Sequence, residues 1–391
     1  MSTVNSQDDR LPVLASAART PIGKFGGALA GTEAIDLGAT AVAGALARIE
    51  GVTPDYVFLG NVVQAANGQN PARLAAARAG VPITVPAITL NDVCLASMSA
   101  VGWAAAQIRV GEIASAVVGG FDSMTRAPHA MLVRNAAKIG DAELIDLLVH
   151  DGLWCGLAGT GMGELSDAEN ARLGISRAEQ DQFAARSHRR AAEATERGLL
   201  AEEIVPVTGV PLAVDEGIRP ESTAESLARL RPAFTESGTI TAANASQMSD
   251  AGSAGVLTSL RIARERGLSG LVEVVDRAVV AGPDPTLHLR PADAVGMLLE
   301  RNRLAVSDID LWEINEAFAG VVLASAQKLG IDLDAVNVNG GAIGLGHPLG
   351  ASGFRLVQTL AAQMPRVNAE YGVAAICGGG GQGQAVLLRR L

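Results

Sequence analysis

Residues 87–120 read AITLNDVCLASMSAVGWAAAQIRVGEIASAVVGG. Ala87–Leu90 is a short apolar run and predicts a strand, and the stretch from Cys94 to Val110 predicts a helix that stops at Gly111. Ala114–Val118 predicts a second strand, closing on Gly119-Gly120. Two strands joined through a helix make a βαβ unit, which belongs to a mostly parallel α/β sheet.

The same rhythm extends upstream. Leu11–Ala18 predicts a buried strand, ended by Arg19-Thr20-Pro21 and the turn Gly23-Lys24-Phe25-Gly26-Gly27. Ile35–Ile49 carries apolar residues at helical spacing and stops at Gly51. Tyr56–Val63 predicts another strand, and Pro71 opens a helix, where its missing N–H costs nothing. Downstream the character changes. Phe121–Asn244 is polar, irregular and punctuated by Gly and Pro, with one long helix opened by the capping box Ser176–Glu179. After about Ala254 the α/β rhythm returns and rhymes with the first half. Ile309–Ile314 matches the opening strand, Ala335–Val338 with the helix after Gly350 matches 87–110, and Gly372–Ile376 with Gly378–Gly381 matches 114–120. A repeat this long means duplicated domains. The expected layout is an N-terminal α/β domain (1–120 plus 247–272), an inserted loop domain (121–246) and a C-terminal α/β domain (273–391), with strand ends and helix N-termini facing a shared cleft.

Composition narrows the function. Of 391 residues, 48% are hydrophobic and 18% charged, enough apolar material for a large core. No run of about 20 uninterrupted apolar residues occurs, so membrane insertion is not expected. Met1–Arg10 lacks an apolar h-region and reads as a frayed tail rather than a signal peptide. The formal charge of −10, without basic runs beside aromatics, argues against nucleic acid as a partner. Three cysteines make no disulfide framework, so a reducing, cytoplasmic location is expected. His129, His150, His188 and His288 have no metal-ligand spacing and read as surface or structural, so no metal is expected.

Cys94 falls where a strand gives way to a helix, and the positive helix end favours a nucleophilic thiolate. In isolation, a cysteine packed as a small hydrophobe would look the same. His347 sits in NGGAIGLGHPLG (339–350), where the glycines allow close backbone approach and Pro348 fixes the ring, so it could take the proton of Cys94. Cys377 precedes GGGGQG, whose backbone donors could hold an oxyanion. Asn315 and Glu316 end another strand, where an amide could orient a water or a carbonyl.

Together with ARTP (18–21), QNPAR (69–73), RPAF (231–234) and GTITAANAS (238–246), these residues resemble the thiolase family, the acetyl-CoA acetyltransferases and 3-ketoacyl-CoA thiolases, over nearly the whole chain. The resemblance implies duplicated α/β domains in a layered α-β-α-β-α core, and reversible Claisen condensation or thiolysis without a permanently bound cofactor. It implies Cys94 as nucleophile, His347 as its base, and Cys377 as the acid/base at the α-carbon. Asn315 would hold a water that forms one oxyanion hole with His347, and the backbone of Cys94 and Gly379 would form the other. Arg219 and Ser246 would contact coenzyme A, and Met162 and Phe318 would border the acyl pocket. The inserted domain would carry CoA contacts and a tetramerisation loop in a homodimer or homotetramer.

Departures accompany the likeness. Ala96-Ser97 replaces a usual Ser-Gly, Gly378 replaces a β-branched residue and should loosen the Cys377 loop, and Gly161 stands where short-chain members place a histidine against the pantetheine. The last change, beside the unusual Trp154–Thr160, is expected to leave room for acyl chains beyond four carbons with acetoacetyl-CoA still accepted; the alternative is that another side chain fills the gap and acetoacetyl-CoA remains preferred. Cys155 is expected to pack within the inserted domain. The rival assignments are a ketoacyl synthase, whose cysteine pairs with two histidines or a His/Asn set, against which Cys377 argues, and a non-catalytic lipid carrier, which would have lost a catalytic group.

Overall fold

The computed structural model describes residues 8–49, 51–135, 139 and 141–391; the first seven residues of the expected N-terminal tail lie outside that set. The first half runs β1 (Pro12–Arg19), β2 (Gly23–Lys24), α1 (Ala34–Ala47), β3 (Tyr56–Gly60), α2 (Pro71–Arg78), β4 (Ala87–Leu90), α3 (Ala96–Val110) and β5 (Ser115–Ser123). Two small ladders follow, β6 (His129–Ala130) with β7 (Ile145–Asp146) and β8 (Trp154–Cys155) with β9 (Thr160–Gly161). Helices α4 (Met162–Leu173), α5 (Arg177–Glu196) and α6 (Ala224–Leu227) complete the irregular stretch. The second half runs β10 (Ser249–Ser259), α7 (Leu260–Glu265), β11 (Val272–Ala281), α8 (Arg290–Asn302), β12 (Leu311–Ile314), α9 (Ala319–Leu329), α10 (Ala342–Leu345), α11 (Leu349–Arg366), β13 (Tyr371–Gly378) and β14 (Gln382–Arg390).

Local chemistry explains several boundaries. Pro71 is the first helical residue of α2, and the Asn70 side chain accepts from the Arg73 amide. Gly111 ends α3 with φ 78°, where a side chain would be strained. At α5 the expected capping box forms, with Ser176 and Glu179 each satisfying the other's backbone N–H.

The sheet order is β12-β13-β14-β11-β1-β10-β5-β3-β4, with β2 paired to β10. It is mixed, not mostly parallel. Only β3/β4, β3/β5 and β12/β13 are parallel, whereas β10, β11 and β14 pair antiparallel with their neighbours. The reason lies in connection length: β13 and β14 are joined by Gly379-Gly380-Gly381 alone, which permits a hairpin and no crossover helix. Each half has the same run of pairings from the centre outward: antiparallel, antiparallel, parallel. They meet at β1/β11 through only two register pairs, Val13↔Glu273 and Leu14↔Val272.

This order corrects one correspondence. Leu311–Ile314 occupies the place of β3, and the counterpart of β1 is β11. Ala335–Val338 contributes an isolated bridge, Trp312↔Val336, in the place of β4. The match of β13 to β5, and of α11 to α3, holds. Strand β5 also continues through Gly119-Gly120 to Ser123.

Alternation along the strands sets the layers. Ala116 and Val118 of β5 join a core with Met98 and Val101 of α3, Phe354 and Leu360 of α11, and Ile376, Val386 and Leu388 of the second half. Val117 turns the other way, towards Ala41 and Val42 of α1 and Ala72 and Ala75 of α2. In the second half, Val373, Ala375 and Leu387 face Val295 and Leu298 of α8 and Val322 of α9. Thus α3 and α11 form a central layer between two sheet faces, each covered outside by helices. The stretch Val93–Val110 is apolar enough to cross a membrane by composition, and here it is that central helix.

Candidate active site

Cys94 and His347 each lie two residues before a central helix, α3 and α11 respectively. The strand ends of the two halves open onto one cavity of about 520 Å³. Its lining includes Cys94, His347, Cys377 and Gly379, with Met162, Phe318 and Ser246. Six of the positions expected from sequence, and the Gly379 loop, therefore share one space. Asn315 joins them through its amide: Nδ2 lies 3.4 Å from His347 Nε2.

The nucleophile loop is held in a strained shape. Val93, a β-branched residue, adopts φ 57°, and its N–H donates to Asn91 Oδ1 at 3.1 Å. Burial pushes the half-buried Cys94 thiol up to about 12, and the carboxylates of Asp122 and Asp92 act in the same direction. The N–H groups of Cys94 and Gly379 reach the sulfur and oppose that rise. The resting group is thus a thiol and not the thiolate expected from the helix dipole, because desolvation outweighs the dipole.

His347 is buried, and desolvation lowers its imidazole to about 4, with Arg355 adding to the effect. Its Nδ1 lies 2.6 Å from Ser352 Oγ, which donates its own proton to Pro348 O at 2.8 Å. The hydroxyl therefore accepts from Nδ1–H, leaving the Nε2 lone pair towards Asn315 and the cavity. Asn315 is held by its own N–H to Ala375 O at 2.9 Å, and its Oδ1 is buried with no protein partner. Cys377 is buried in β13, and burial raises its thiol strongly, with Cys94 adding to the rise.

The Cys377 segment is not loosened by Gly378. That residue is inside β13, paired with Gln382, and a Cβ on it would come within 2.7 Å of Leu95 Cγ. Leu95 of the nucleophile loop fills the space, so the glycine records a close approach. Ser97, likewise unusual, accepts from the Phe354 amide at 2.9 Å and ties α3 to α11. Arg219 is exposed and lies outside the cavity lining; it reaches the lining residue Gln247, with Nη2 3.4 Å from Oε1. Cys155 is buried and does not line the cavity. His188 and His288 are buried, His129 and His150 exposed, and no cluster of metal-ligating side chains occurs among the described residues.

Sequence reasoning missed three groups. Asp122, fully buried, accepts from Asn61 Nδ2 at 2.7 Å, from the amides of Val62 and Val63, and from Gly350 N at 2.6 Å. It fastens the end of β5 to the start of α11 beside Cys94. Ser352 sets the His347 tautomer. Glu164 lines the cavity and fills the notch at Gly161. The signal for Ser352 was present, five residues after the histidine and so at the first turn of the helix; Asp122 depends on contacts distant in sequence, and Glu164, only three residues from Gly161, on where its side chain turns.

Comparison with known proteins identifies the family. Residues 12–261 match the thiolase N-terminal domain family and residues 268–390 the thiolase C-terminal domain family. A Mycobacterium leprae protein named "Probable acetyl-CoA acetyltransferase" is 46% identical, covering 96% of this chain and 98% of its own length. The acetyl-CoA acetyltransferase of Cupriavidus necator is 44% identical, covering 97% and 99%. The crystal structure of the Bacillus anthracis acetyl-CoA acetyltransferase superposes with a TM-score of 0.94 at 36% identity, covering 98% of this chain and all of that one.

Proposed function

This chain belongs to the thiolase family, and from that premise we propose that it is an acyl-CoA C-acyltransferase working through an acyl group carried on Cys94. The supporting observation is the convergence of two thiols, an imidazole and an amide on one cavity. Both Cys94 and His347 rest uncharged, so the proton moves from sulfur to Nε2 as the thioester carbonyl is attacked. The backbone N–H groups of Cys94 and Gly379, whose influence lowers the thiol against its burial, would hold the oxyanion of that step.

As the first CoA leaves it would take the Cys377 proton, and the resulting thiolate would remove the α-proton of a second acyl-CoA. That carbon attacks the Cys94 thioester and expels the Cys94 sulfur, which recovers its proton from His347; thiolysis is the reverse. Asn315, with a buried Oδ1 that no protein group satisfies, suits a water that helps His347 Nε2 stabilise the enolate oxygen. Cys377 also favours this reaction over that of a ketoacyl synthase. Coenzyme A enters and leaves as part of the substrates. We assign its contacts to Ser246 at the cavity and Arg219 outside it, and the acyl wall to Met162 and Phe318. The segment 121–246 would act as the inserted domain carrying those contacts, between α/β units of 1–120 plus 247–272 and 273–391, in a homodimer or homotetramer.

Incubation with acetyl-CoA should add one acetyl mass to the peptide containing Cys94. Cys377→Ala should still acylate but lose condensation and thiolysis, whereas Cys94→Ala should lose both half-reactions. Acylation of Cys155 with Cys94 unmodified would refute the assignment.

A further inference from the structure

Gly161 was expected to leave an opening in the cavity wall. The opening is filled by a charge: the Glu164 carboxylate lies where a Cβ on residue 161 would be built, with Oε2 the atom it would strike. Glu164 is in the first turn of α4, one turn past the N-cap Gly161, and the positive helix end favours an anion there. The carboxylate lines the same cavity as Cys94 and Cys377. The ion pairs among the described residues run from Arg19 to Arg389, and none includes Glu164.

Its surroundings say which part of the substrate it meets. Met162, the residue after Gly161, packs against the cluster of Cys377, Leu287 and Phe318. Cys377 is the group assigned to the α-carbon, so the wall beginning at Gly161 and Met162 borders the space the acyl chain must occupy. Among the described residues lining the cavity Glu164 is the one Asp, Glu, Lys or Arg; Ser246, Gln247 and His347 are further polar members of a mostly apolar lining. A negative charge in a mostly apolar pocket interacts with a second charge brought beside it more strongly than it would in open water, even with Glu164 itself only partly buried.

Building on the thiolase assignment, we infer that Glu164 is a specificity-determining residue: the site takes uncharged 3-ketoacyl chains and turns away those whose distal end carries a carboxylate. A dicarboxylic acyl group would suffer both desolvation by the apolar wall and like-charge repulsion from Glu164. Only the second cost depends on this side chain.

The pair 3-ketohexanoyl-CoA and 3-ketoadipyl-CoA isolates it, since both acyl groups have six carbons and differ at the terminal carboxylate. In the unmodified protein the ratio of kcat/KM for thiolysis, neutral over acidic, should be on the order of 100 or more. In Glu164→Gln, which keeps shape and removes charge, the ratio should fall at least about ten-fold, and Glu164→Ala should shift it the same way. Because each ratio is taken within one protein preparation, partial loss of folded enzyme cancels. A ratio unchanged within about three-fold in both variants overturns the inference, as does a parallel change for both substrates, which would mean that Glu164 acts on the coenzyme A arm. Thiolysis of neither substrate by the unmodified protein, with Cys94 unacylated, would instead refute the thiolase assignment on which this rests.

Discussion

Ser352 shows how much of the chemistry at His347 is decided by a side chain that never meets the substrate. Its hydroxyl proton is committed to Pro348 O, so it can only accept from Nδ1–H, and Nε2 is left as the base. Ser352→Ala should therefore slow acylation of Cys94 by roughly ten-fold, part of the ~10²–10⁴ that a positioned base supplies, while Ser352→Thr should restore most of it. Rapid-quench measurement of acyl-enzyme formation checks this, and equal rates in all three proteins would show that the tautomer is set elsewhere. Cys94, His347, Cys377 and Asn315 could be singled out in the sequence because each falls at a strand or helix end, marked by glycine runs at His347 and Cys377 and only by the change from strand to helix pattern at Cys94 and Asn315. Glu164 could not, since the absence of a side chain at Gly161 says nothing about which neighbour moves in. The thiolate state of Cys94 was misjudged for a related reason: a helix end is visible in sequence, whereas the depth of burial and the nearby Asp122 are not.

Helices α3 and α11 begin almost against the sheet, α3 with Ala96 and Ser97 beside Gly60 of β3 and α11 with Gly350 beside Gly120 of β5. A Cβ on Gly120 would strike Gly350 O and crowd Gly60 O, both of them backbone atoms that cannot swing aside. Gly120→Ala should cost on the order of 2–3 kcal/mol through this overpacking. It should also disturb the start of α11, and with it His347. The expected outcome is a lower Tm together with acylation reduced beyond the loss of folded protein; a normal Tm and rate would mean that α11 can shift without consequence. The parallel strands β3, β4, β5 and β12 could be read from their short apolar runs and the helices between them. Strands β10 and β14 could not, because β10 is mostly small and polar residues (SDAGSAGVLTS) and β14 opens on Gln382-Gly383-Gln384 and ends on Arg389-Arg390, so neither presents the apolar run that made the equally buried β5 readable. Without them the sheet looked mostly parallel, and β12 was matched to the wrong partner.

Across the whole molecule, the irregular segment is tied to the first half by a buried ionic knot. Arg19, at the end of β1, donates Nε to Glu203 at 2.8 Å and pairs through both terminal nitrogens with Asp215 at 2.7 and 2.9 Å. Arg19→Met would strand two buried carboxylates and should destabilise by about 3–5 kcal/mol, seen as a marked fall in Tm, with Asp215→Asn in the same chain recovering part of it. No change in Tm would mean that the carboxylates find protons or water without cost. At this scale the two halves also answer each other residue by residue. Asn61 follows β3 as Asn315 follows β12, Asp122 stands two residues past the last β3/β5 pair as Cys377 does past the last β12/β13 pair, and Cys94 precedes α3 as His347 precedes α11. A dimer of identical halves would be obliged to carry the same side chain at both members of every such pair, because one codon would write both. A single chain that spells each half separately is free of that bond, and here it has placed a thiol opposite an imidazole and a carboxylate opposite a second thiol.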